Sequence, residues 1–275
     1  MSDAAIASVF ERCAAESRAA LIPYLMAGDP SLQVTPSLLE AAAAGGADII
    51  EVGIPYSDPL ADGPTIQAAA QRSLHAGTTF DAVLATIASL DRRRVATPLI
   101  AFTYFNPVFV RGVEQTARRL ARAGFSGAII PDLSPDEAAD TTEAFAASGV
   151  PLTFLVAPTT PLERISMIAE RSSGFVYVVS RMGVTGAGAS LDASIASLIN
   201  RIRPLTDKPL AVGFGVSTPE HAKAIAAYAD GVIVGSALID AIRQSRGDAA
   251  DAVRSFCATL RSSTSRVTED VPSSG

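Results

Sequence analysis

Two carboxylates in one short stretch of the sequence are candidates for acid–base chemistry. Glu51 ends an apolar run that predicts a buried strand, and Asp62 follows eleven residues later in a loop rich in Pro and Gly. Alternation along the strand places Glu51 on a face whose other residues are small or apolar. Burial raises the pKa of an unpaired carboxyl group, so Glu51 serves either in proton transfer or in a structural ion pair. Asp62, within A-D-G-P, is either a second functional acid or a turn-capping aspartate.

Glycines after three later strands of the predicted fold form a second candidate site. They are Gly186, Gly215 and Gly235. Glycine lets backbone N–H groups approach an anion closely. Ser236 then begins a short predicted helix over residues 236–242, whose N-terminus adds donors and the positive end of a dipole. Each glycine alone is a turn former, but the three together with Ser236 predict a phosphate-binding site.

Eight short, β-rich apolar runs must position these residues, and Ala-rich segments with helical spacing separate the runs. The runs are residues 20–26, 48–53, 98–104, 127–131, 152–156, 175–180, 210–213 and 231–235. This alternation predicts a parallel sheet covered by helices. At this length an eightfold barrel fits better than a doubly wound sheet, which usually has a G-x-G-x-x-G turn after its first strand. Residues 27–30 read A-G-D-P instead.

Helix boundaries are marked by cap residues and by apolar spacing. Capping boxes that begin at Ser134, Thr160 and Ser217 predict three helix starts. Residues 6–20 predict an extra helix before the first strand, where it would close the N-terminal mouth of the barrel. Residues 253–260 have the i, i+3, i+4, i+7 spacing of a closing helix.

No linker divides the chain, so we predict a single (β/α)8 TIM-barrel catalytic domain over residues 1–262. A flexible C-terminal tail, rich in Ser and Thr, is expected over residues 263–275. Catalytic groups in such barrels lie at the C-terminal ends of the strands and on the loops that follow them. Both acids and the glycine loops therefore fall on one face.

Composition excludes several classes of protein. A chain of 275 residues with 48% hydrophobic and 18% charged residues has a sizeable core, and its net charge of -6 gives no cationic surface for nucleic acid. Only two cysteines, Cys13 and Cys257, are present, which favours a reduced, cytoplasmic setting. No apolar stretch is long enough for a membrane span, and acids at Asp3, Glu11 and Glu16 argue against a signal peptide.

Histidine, cysteine and lysine are poorly placed for chemistry. His75 and His221 are isolated in helical contexts, so no transition-metal site is expected. Lys208 and Lys223 are the only lysines and neither lies in a predicted strand, which disfavours a Schiff-base enzyme. Acid–base chemistry must therefore be done by carboxylates.

The sequence resembles the tryptophan synthase alpha chain family. Residues 51–67, 180–186, 213–215 and 235–237 look like its signature segments, and the likeness extends over about residues 20–260. The resemblance implies a lyase that cleaves indole-3-glycerol phosphate to indole and glyceraldehyde 3-phosphate. It further implies an α2β2 complex with a beta chain, which would carry pyridoxal phosphate and receive the indole; this chain itself would carry no cofactor.

The resemblance also implies roles for individual residues. Glu51 would protonate indole C3 and accept the proton of the side-chain hydroxyl, and Asp62 would receive the ring N–H. The phosphate would be bound by four residues: Gly186, Gly215, Gly235 and Ser236. The indole and glycerol pocket would be formed by five others: Tyr24, Phe102, Tyr177, Thr185 and Phe214. Ordinary barrel packing is the alternative for the two phenylalanines.

Two positions depart from the family pattern. Met182 stands where the family often has a small hydroxyl residue, which could alter how the sixth loop closes, and Tyr24 stands where Phe is common. By resemblance alone, the partner interface would involve Asp58, Asn106 and Pro107.

Three other functions remain open: a stand-alone lyase, a non-catalytic regulatory subunit, and a phosphosugar isomerase on the same barrel. Two retained acids argue against a regulatory subunit.

Overall fold

The computed structural model describes residues 2–179, 189–213 and 215–266. The described residues contain nine strands, all paired in parallel in one sheet. These strands are β1 (Ala20–Met26), β2 (Ile50–Gly53), β3 (Leu99–Phe102), β4 (Gly127–Ile129), β5 (Leu152–Thr153), β6 (Leu155–Val156), β7 (Val176–Val179), β8 (Leu210–Gly213) and β9 (Gly231–Val234).

Helices alternate with the strands along the chain. They are α1 (Ser2–Ala15), α2 (Thr35–Ala44), α3 (Pro64–His75), α4 (Phe80–Ala88), α5 (Phe105–Phe109), α6 (Val113–Ala123), α7 (Ala139–Ala147), α8 (Leu162–Arg171), α9 (Ala189–Ile202), α10 (Pro219–Ala226), α11 (Ser236–Gln244) and α12 (Ala249–Ser262). Short 3-10 helices lie at Leu32–Val34, Pro135–Glu137 and Arg203–Leu205. Among the helices of the described ranges, none combines the length and apolar content that a membrane crossing needs.

The sheet closes into the predicted (β/α)8 barrel. Its strand order is β5-β4-β3-β2-β1-β9-β8-β7-β6, and β5 and β6 are consecutive pieces of one barrel strand. They are separated at Phe154, whose N–H donates to the Ser172 hydroxyl at 3.1 Å instead of to a neighbouring strand. All eight predicted apolar runs contain a strand, so the predicted fold class is confirmed.

Side chains pack in two layers on either side of the sheet. Inward-facing residues such as Ile22, Ile100 and Ile233 fill the barrel, and a larger set packs between the outer face of the sheet and the helices. The predicted N-terminal helix is present as α1. Its Phe10 contacts Phe175 inside the barrel, with the ring centroids 5.5 Å apart. Helix α1 therefore packs against the barrel interior, as the sequence predicts.

A buried ion pair joins the segments that enter the first two strands. Arg18 donates from Nη1 and Nη2 to the Asp48 carboxylate at 2.7 and 2.8 Å, and the N–H of Leu21 donates to the same carboxylate at 2.9 Å. Burial alone raises the pKa of Asp48, but the hydrogen bonds from Arg18 and Leu21 outweigh burial and lower it. Asp48 is therefore ionised and holds the start of β1 beside that of β2.

The chain beyond α12 returns to the floor of the barrel. Thr264 is buried, and its carbonyl accepts the N–H of Ala19 at 2.9 Å. The Arg266 guanidinium donates to the Ala229 carbonyl at 2.7 Å and to Asp230 at 3.0 Å. Residues 263–266, the first part of the segment expected to be a flexible tail, are thus attached to the barrel. Residues 267–275 lie outside the described residues.

The three capping boxes expected from the sequence are wrong. Ser134 precedes only a 3-10 turn and makes no side-chain cap. The Thr160 hydroxyl accepts the N–H of Ala157 at 2.9 Å in the turn before α8, so it is not available to cap that helix. Helix α10 is capped by Thr218 instead of Ser217, since the Thr218 hydroxyl accepts the N–H of His221.

Replacing Asp48 by Ala should destabilise the fold strongly. The change leaves the Arg18 guanidinium buried without its main partner, which costs about 3–5 kcal/mol in comparable cases. Urea unfolding followed by circular dichroism measures the loss. The control is Arg93→Ala, which removes an ion pair of an exposed side chain with Asp91 and should leave the midpoint unchanged. Equal midpoints for the two variants would contradict this account of the barrel floor.

Candidate active site

A cavity of about 760 Å³ opens at the C-terminal end of the barrel. Its lining includes eight of the residues that the sequence singles out: Tyr24, Glu51, Asp62, Phe102, Tyr177, Gly215, Gly235 and Ser236. The predicted catalytic, phosphate and pocket residues therefore share one space. The other three, Thr185, Gly186 and Phe214, lie outside the described residues, as does Met182.

Glu51 is an unpaired acid inside the barrel. It lies in β2 between Tyr24 of β1 and Ile100 of β3, and its side chain is part of the cavity wall. The residue is 1% exposed, and neither carboxyl oxygen has a hydrogen-bond partner among the described residues. Burial raises the pKa of Glu51 to about 8. Within the described part of the chain Glu51 therefore forms no structural ion pair, and a pKa raised this far favours the protonated acid at neutral pH.

Asp62 lies across the cavity mouth in a better solvated place. Burial raises the pKa of Asp62 to about 6, and a hydrogen bond from the Tyr104 hydroxyl opposes that rise. Asp62 is therefore mostly ionised at neutral pH, while Glu51 holds its proton. The two acids differ in charge because they differ in solvation and in hydrogen bonding.

Tyr104 and Gln67 hold the loop that carries Asp62, and the sequence did not single them out. The Tyr104 hydroxyl accepts the N–H of Ala61 at 3.1 Å, while the Gln67 amide donates to the Asp62 carbonyl at 2.9 Å. Gln67 lies in the first turn of α3, four residues beyond Gly63, which precedes the helix. The position of Gln67 near the start of a helix, shortly after the loop that carries Asp62, is only a weak sequence indication of this hydrogen bond. For Tyr104, the sequence indicates no role beyond its position at the end of a predicted strand.

Glycines in the strands make room for the tyrosines of the cavity. A Cβ atom at Gly53 would collide with the Tyr24 hydroxyl, and one at Gly213 would collide with the hydroxyl of Tyr177. The Tyr24 ring also meets Phe102 edge to face, with centroids 5.5 Å apart. Phe102 thus packs in the barrel and lines the cavity at once, so the two interpretations of this residue are compatible.

Another part of the cavity wall is formed by glycine loops and a helix N-terminus. Gly215 follows β8 with a φ of 78°, a conformation that favours glycine. Gly235 precedes α11, and Ser236 is its first residue. The first N–H groups of a helix have no partner within it, and α11 has no acid in its first turn. This part of the cavity therefore suits an anion such as phosphate.

Other candidate chemistry does not converge on the cavity. Neither His75 nor His221 is among its lining residues. Within the described part of the chain, no three His, Cys, Asp or Glu side chains come together as a metal site would require.

The fold and the cavity define an acid–base enzyme of the (β/α)8 class that acts on a phosphorylated substrate. The family model of the tryptophan synthase alpha chain matches residues 10–267. The chain is 46% identical to the tryptophan synthase alpha chain of Cyanothece sp., an alignment that covers 93% of this chain and 96% of the relative. It is 48% identical to that of Picosynechococcus sp., over 88% and 92% of the two chains.

Solved structures agree with the sequence relatives. A structure of Mycobacterium tuberculosis tryptophan synthase superimposes with a TM-score of 0.86 at 40% identity, covering 95% of this chain and 98% of that one. Tryptophan synthase subunit alpha of Legionella pneumophila gives a TM-score of 0.87 at 33% identity, over 94% and 98%.

The chain therefore belongs to the tryptophan synthase alpha chain family. It is a lyase of tryptophan biosynthesis that cleaves indole-3-glycerol phosphate. In this family the indole product passes to a beta chain. Membership implies that beta-chain partner, and the alpha chain of the family carries no cofactor of its own.

Replacing Gly53 by Ala should impair turnover more than stability. The added methyl displaces the Tyr24 ring from its place beside Glu51, and misplacement by about 1 Å costs on the order of 100-fold in rate. Steady-state assay of indole release measures the loss. Gly247→Ala is the control, because nothing lies within 4 Å of a Cβ atom at Gly247. Wild-type turnover by Gly53→Ala would contradict the close packing of Tyr24 on β2.

Proposed function

We propose that Glu51 and Asp62 are the catalytic acids of indole-3-glycerol phosphate cleavage in this chain. The observation that carries the proposal is that Glu51, fully buried and without a partner among the described residues, faces the same cavity as the half-buried Asp62. The reaction needs one group that gives a proton and another that bears charge. The pKa values, raised by burial to about 8 for Glu51 and about 6 for Asp62, support these two roles at neutral pH.

Glu51 first donates a proton to the substrate and then accepts a proton from it. Its carboxyl group protonates indole C3, which leaves a positive charge on the ring nitrogen and a carboxylate on Glu51. The carboxylate then accepts the proton of the neighbouring hydroxyl, whose O–H electron pair forms the aldehyde C=O. The pair of the broken C–C bond returns to the ring and neutralises its nitrogen. Glu51 ends the cycle protonated, and indole and glyceraldehyde 3-phosphate result.

Asp62 acts on the ring nitrogen. An ionised carboxylate that accepts the ring N–H binds more strongly as the ring becomes cationic, so its contribution grows toward the transition state. The contacts of Tyr104 and Gln67 with the Asp62 loop support this placement, because they fix the carboxylate at the cavity mouth.

The phosphate would lie at the glycine end of the cavity, on Gly215, Gly235 and Ser236. Binding energy there would orient the reacting bond between the acids. Tyr24, Phe102 and Tyr177 would form walls for the indole and glycerol parts. Three further assignments rest on family resemblance alone: Gly186 to the phosphate, and Thr185 and Phe214 to the pocket. We treat residues 1–262 as one catalytic domain.

Glu51→Gln should abolish indole release while glycerol 3-phosphate, a probe of the phosphate end, still binds. Glutamine keeps the size of the side chain but can neither give nor take the proton. Single-turnover assay of indole and isothermal titration with glycerol 3-phosphate separate the two effects. Ser236→Ala is the matched variant, because it should weaken ligand binding and leave the acid in place. Indole release by Glu51→Gln near the wild-type rate would overturn the assignment.

We further infer that the loops after β2 and β3 bind the beta chain in a cytoplasmic α2β2 complex, in which pyridoxal phosphate belongs to the beta chain. Leu60, in the loop after β2, is 91% exposed, and Phe109 and Val110, at the end of α5 after β3, are exposed as well. Exposed apolar side chains next to polar ones are typical of interaction surfaces. Asp58 and Asn106 are exposed as such an interface needs, whereas Pro107 is buried and could not contact a partner.

Addition of a purified beta chain should raise the rate of indole formation, and Leu60→Asp should weaken that response. A charged side chain at this exposed position opposes desolvation on binding, while the cavity is left intact because Leu60 is not among its lining residues. Indole production titrated with beta chain measures both effects. The exposed Leu162→Asp, on α8, is the control. A rate indifferent to the beta chain would identify a stand-alone lyase instead.

A further inference from the structure

We propose that the Tyr24 hydroxyl is a hydrogen-bond donor shared by the two acids, available to Asp62 in the resting enzyme and to Glu51 once that residue has given up its proton. This inference rests on the proposed roles of Glu51 and Asp62. It makes Tyr24 a positioning residue, since it acts through the acids and not on the bond that breaks.

Strand register places Tyr24 beside Glu51. The two residues are partners in the β1–β2 pair, and both side chains face the barrel interior. The Tyr24 ring reaches over Gly53, where its hydroxyl occupies the space that a side chain would fill. Gly53 follows Glu51 by two residues, so it lies on the same face of β2, one step nearer the loop of Asp62. The hydroxyl therefore lies over β2 on the face that carries Glu51, on the side toward the loop of Asp62.

The ring is fixed while the hydroxyl hydrogen is free to turn. Tyr24 is 3% exposed, and its ring packs edge to face on Phe102. A phenol hydrogen rotates about the C–O bond without any movement of the ring. Transfer of the donor from one acid to the other thus needs only that rotation, which costs little reorganisation during the reaction.

The charges around Tyr24 keep its proton in place. Burial raises the pKa of Tyr24 well above its usual value, and the nearby Asp62 and Glu51, followed by Tyr104 and Tyr177, raise it further. Tyr24 is therefore a neutral donor throughout the working pH range. A neutral donor can stabilise a carboxylate without the permanent positive charge that would prevent Glu51 from holding a proton at neutral pH.

Reaction of the substrate determines which of the two acids accepts the hydrogen bond from Tyr24. When the ring N–H bonds to Asp62 and the ring becomes cationic, Asp62 no longer needs a second donor. At the same moment Glu51 becomes a carboxylate with no protein cation beside it, since its oxygens have no partner among the described residues. Tyr177 offers its hydroxyl over Gly213 on the far side of the cavity, but β7 is separated from β2 by three strands. Both acids also raise the pKa of Tyr177, but Tyr24 is the tyrosine whose residue pairs directly with Glu51 in the sheet.

The pH dependence of kcat/KM tests the proposal, with Tyr24→Phe compared with wild type and with Tyr228→Phe. Wild-type activity should rise as Asp62 ionises near pH 6 and fall as Glu51 loses its proton near pH 8. The shared donor lowers both pKa values, so its loss in Tyr24→Phe should move both limbs about one pH unit upward and reduce kcat about tenfold. Tyr228, 45% exposed and outside the cavity, is a control phenol whose loss should change nothing.

Two outcomes would overturn the shared donor: limbs that stay in place in Tyr24→Phe, or a shift of one limb alone. A purely structural effect lowers the rate without moving either limb. Gly53→Ala, which displaces the same hydroxyl, should give the same double shift and serves if Tyr24→Phe folds poorly. Glu51→Gln assayed in parallel separates the failures, because turnover by that variant would refute the acid itself. An inactive Glu51→Gln with unmoved limbs in Tyr24→Phe would refute only the role of Tyr24.

Discussion

Burial of a carboxyl group without a charged partner is the constraint on which the rest of this site depends. Glu51 is supported by no cation and no hydrogen bond among the described residues, so it keeps a proton at neutral pH. Such a group is costly in a barrel core, and its position can be kept only if the surrounding strands do not move. The parallel ladders of β1 and β3 on either side of β2 provide that rigidity. The Arg18–Asp48 pair at the floor fixes where β1 and β2 begin.

The same constraint determines which residues can surround Glu51. A lysine or arginine in the cavity would draw the proton from the acid, whereas tyrosines give polar hydrogens without permanent charge. A tyrosine ring fits only where the neighbouring strand has no side chain. Gly53 provides this space for Tyr24, and Gly213 provides it for Tyr177. The second acid lies on a loop nearer solvent and is ionised. One cavity thus contains two carboxyl groups whose pKa values differ, about 8 for Glu51 and about 6 for Asp62.

Most of the fold, and the placement of Glu51 and Asp62 on one cavity, could be predicted from the sequence. Short apolar runs separated by helical segments predicted every barrel strand, because the period of a buried parallel strand is a local property. The break at Phe154 and the three failed capping boxes could not be predicted in this way. In each case a hydroxyl or an N–H had an alternative partner nearby, and the folded geometry selected it. Anchoring of residues 263–266 likewise depends on carbonyls of α10 and its following loop, 37 to 40 residues earlier in the chain.

The sequence by itself determined that Glu51 and Asp62 lie on one face of a barrel, opposite glycine loops suited to phosphate. Strand alternation and chain order are sufficient for that conclusion. Only the tertiary structure decided that Glu51 has no partner among the residues it describes, that Tyr104 and Gln67 hold the loop of Asp62, and that Tyr24 reaches over Gly53. The physical reason is that solvation and hydrogen bonding depend on which groups meet across the barrel. Those contacts are determined by strand register and loop closure, which a local sequence pattern does not specify.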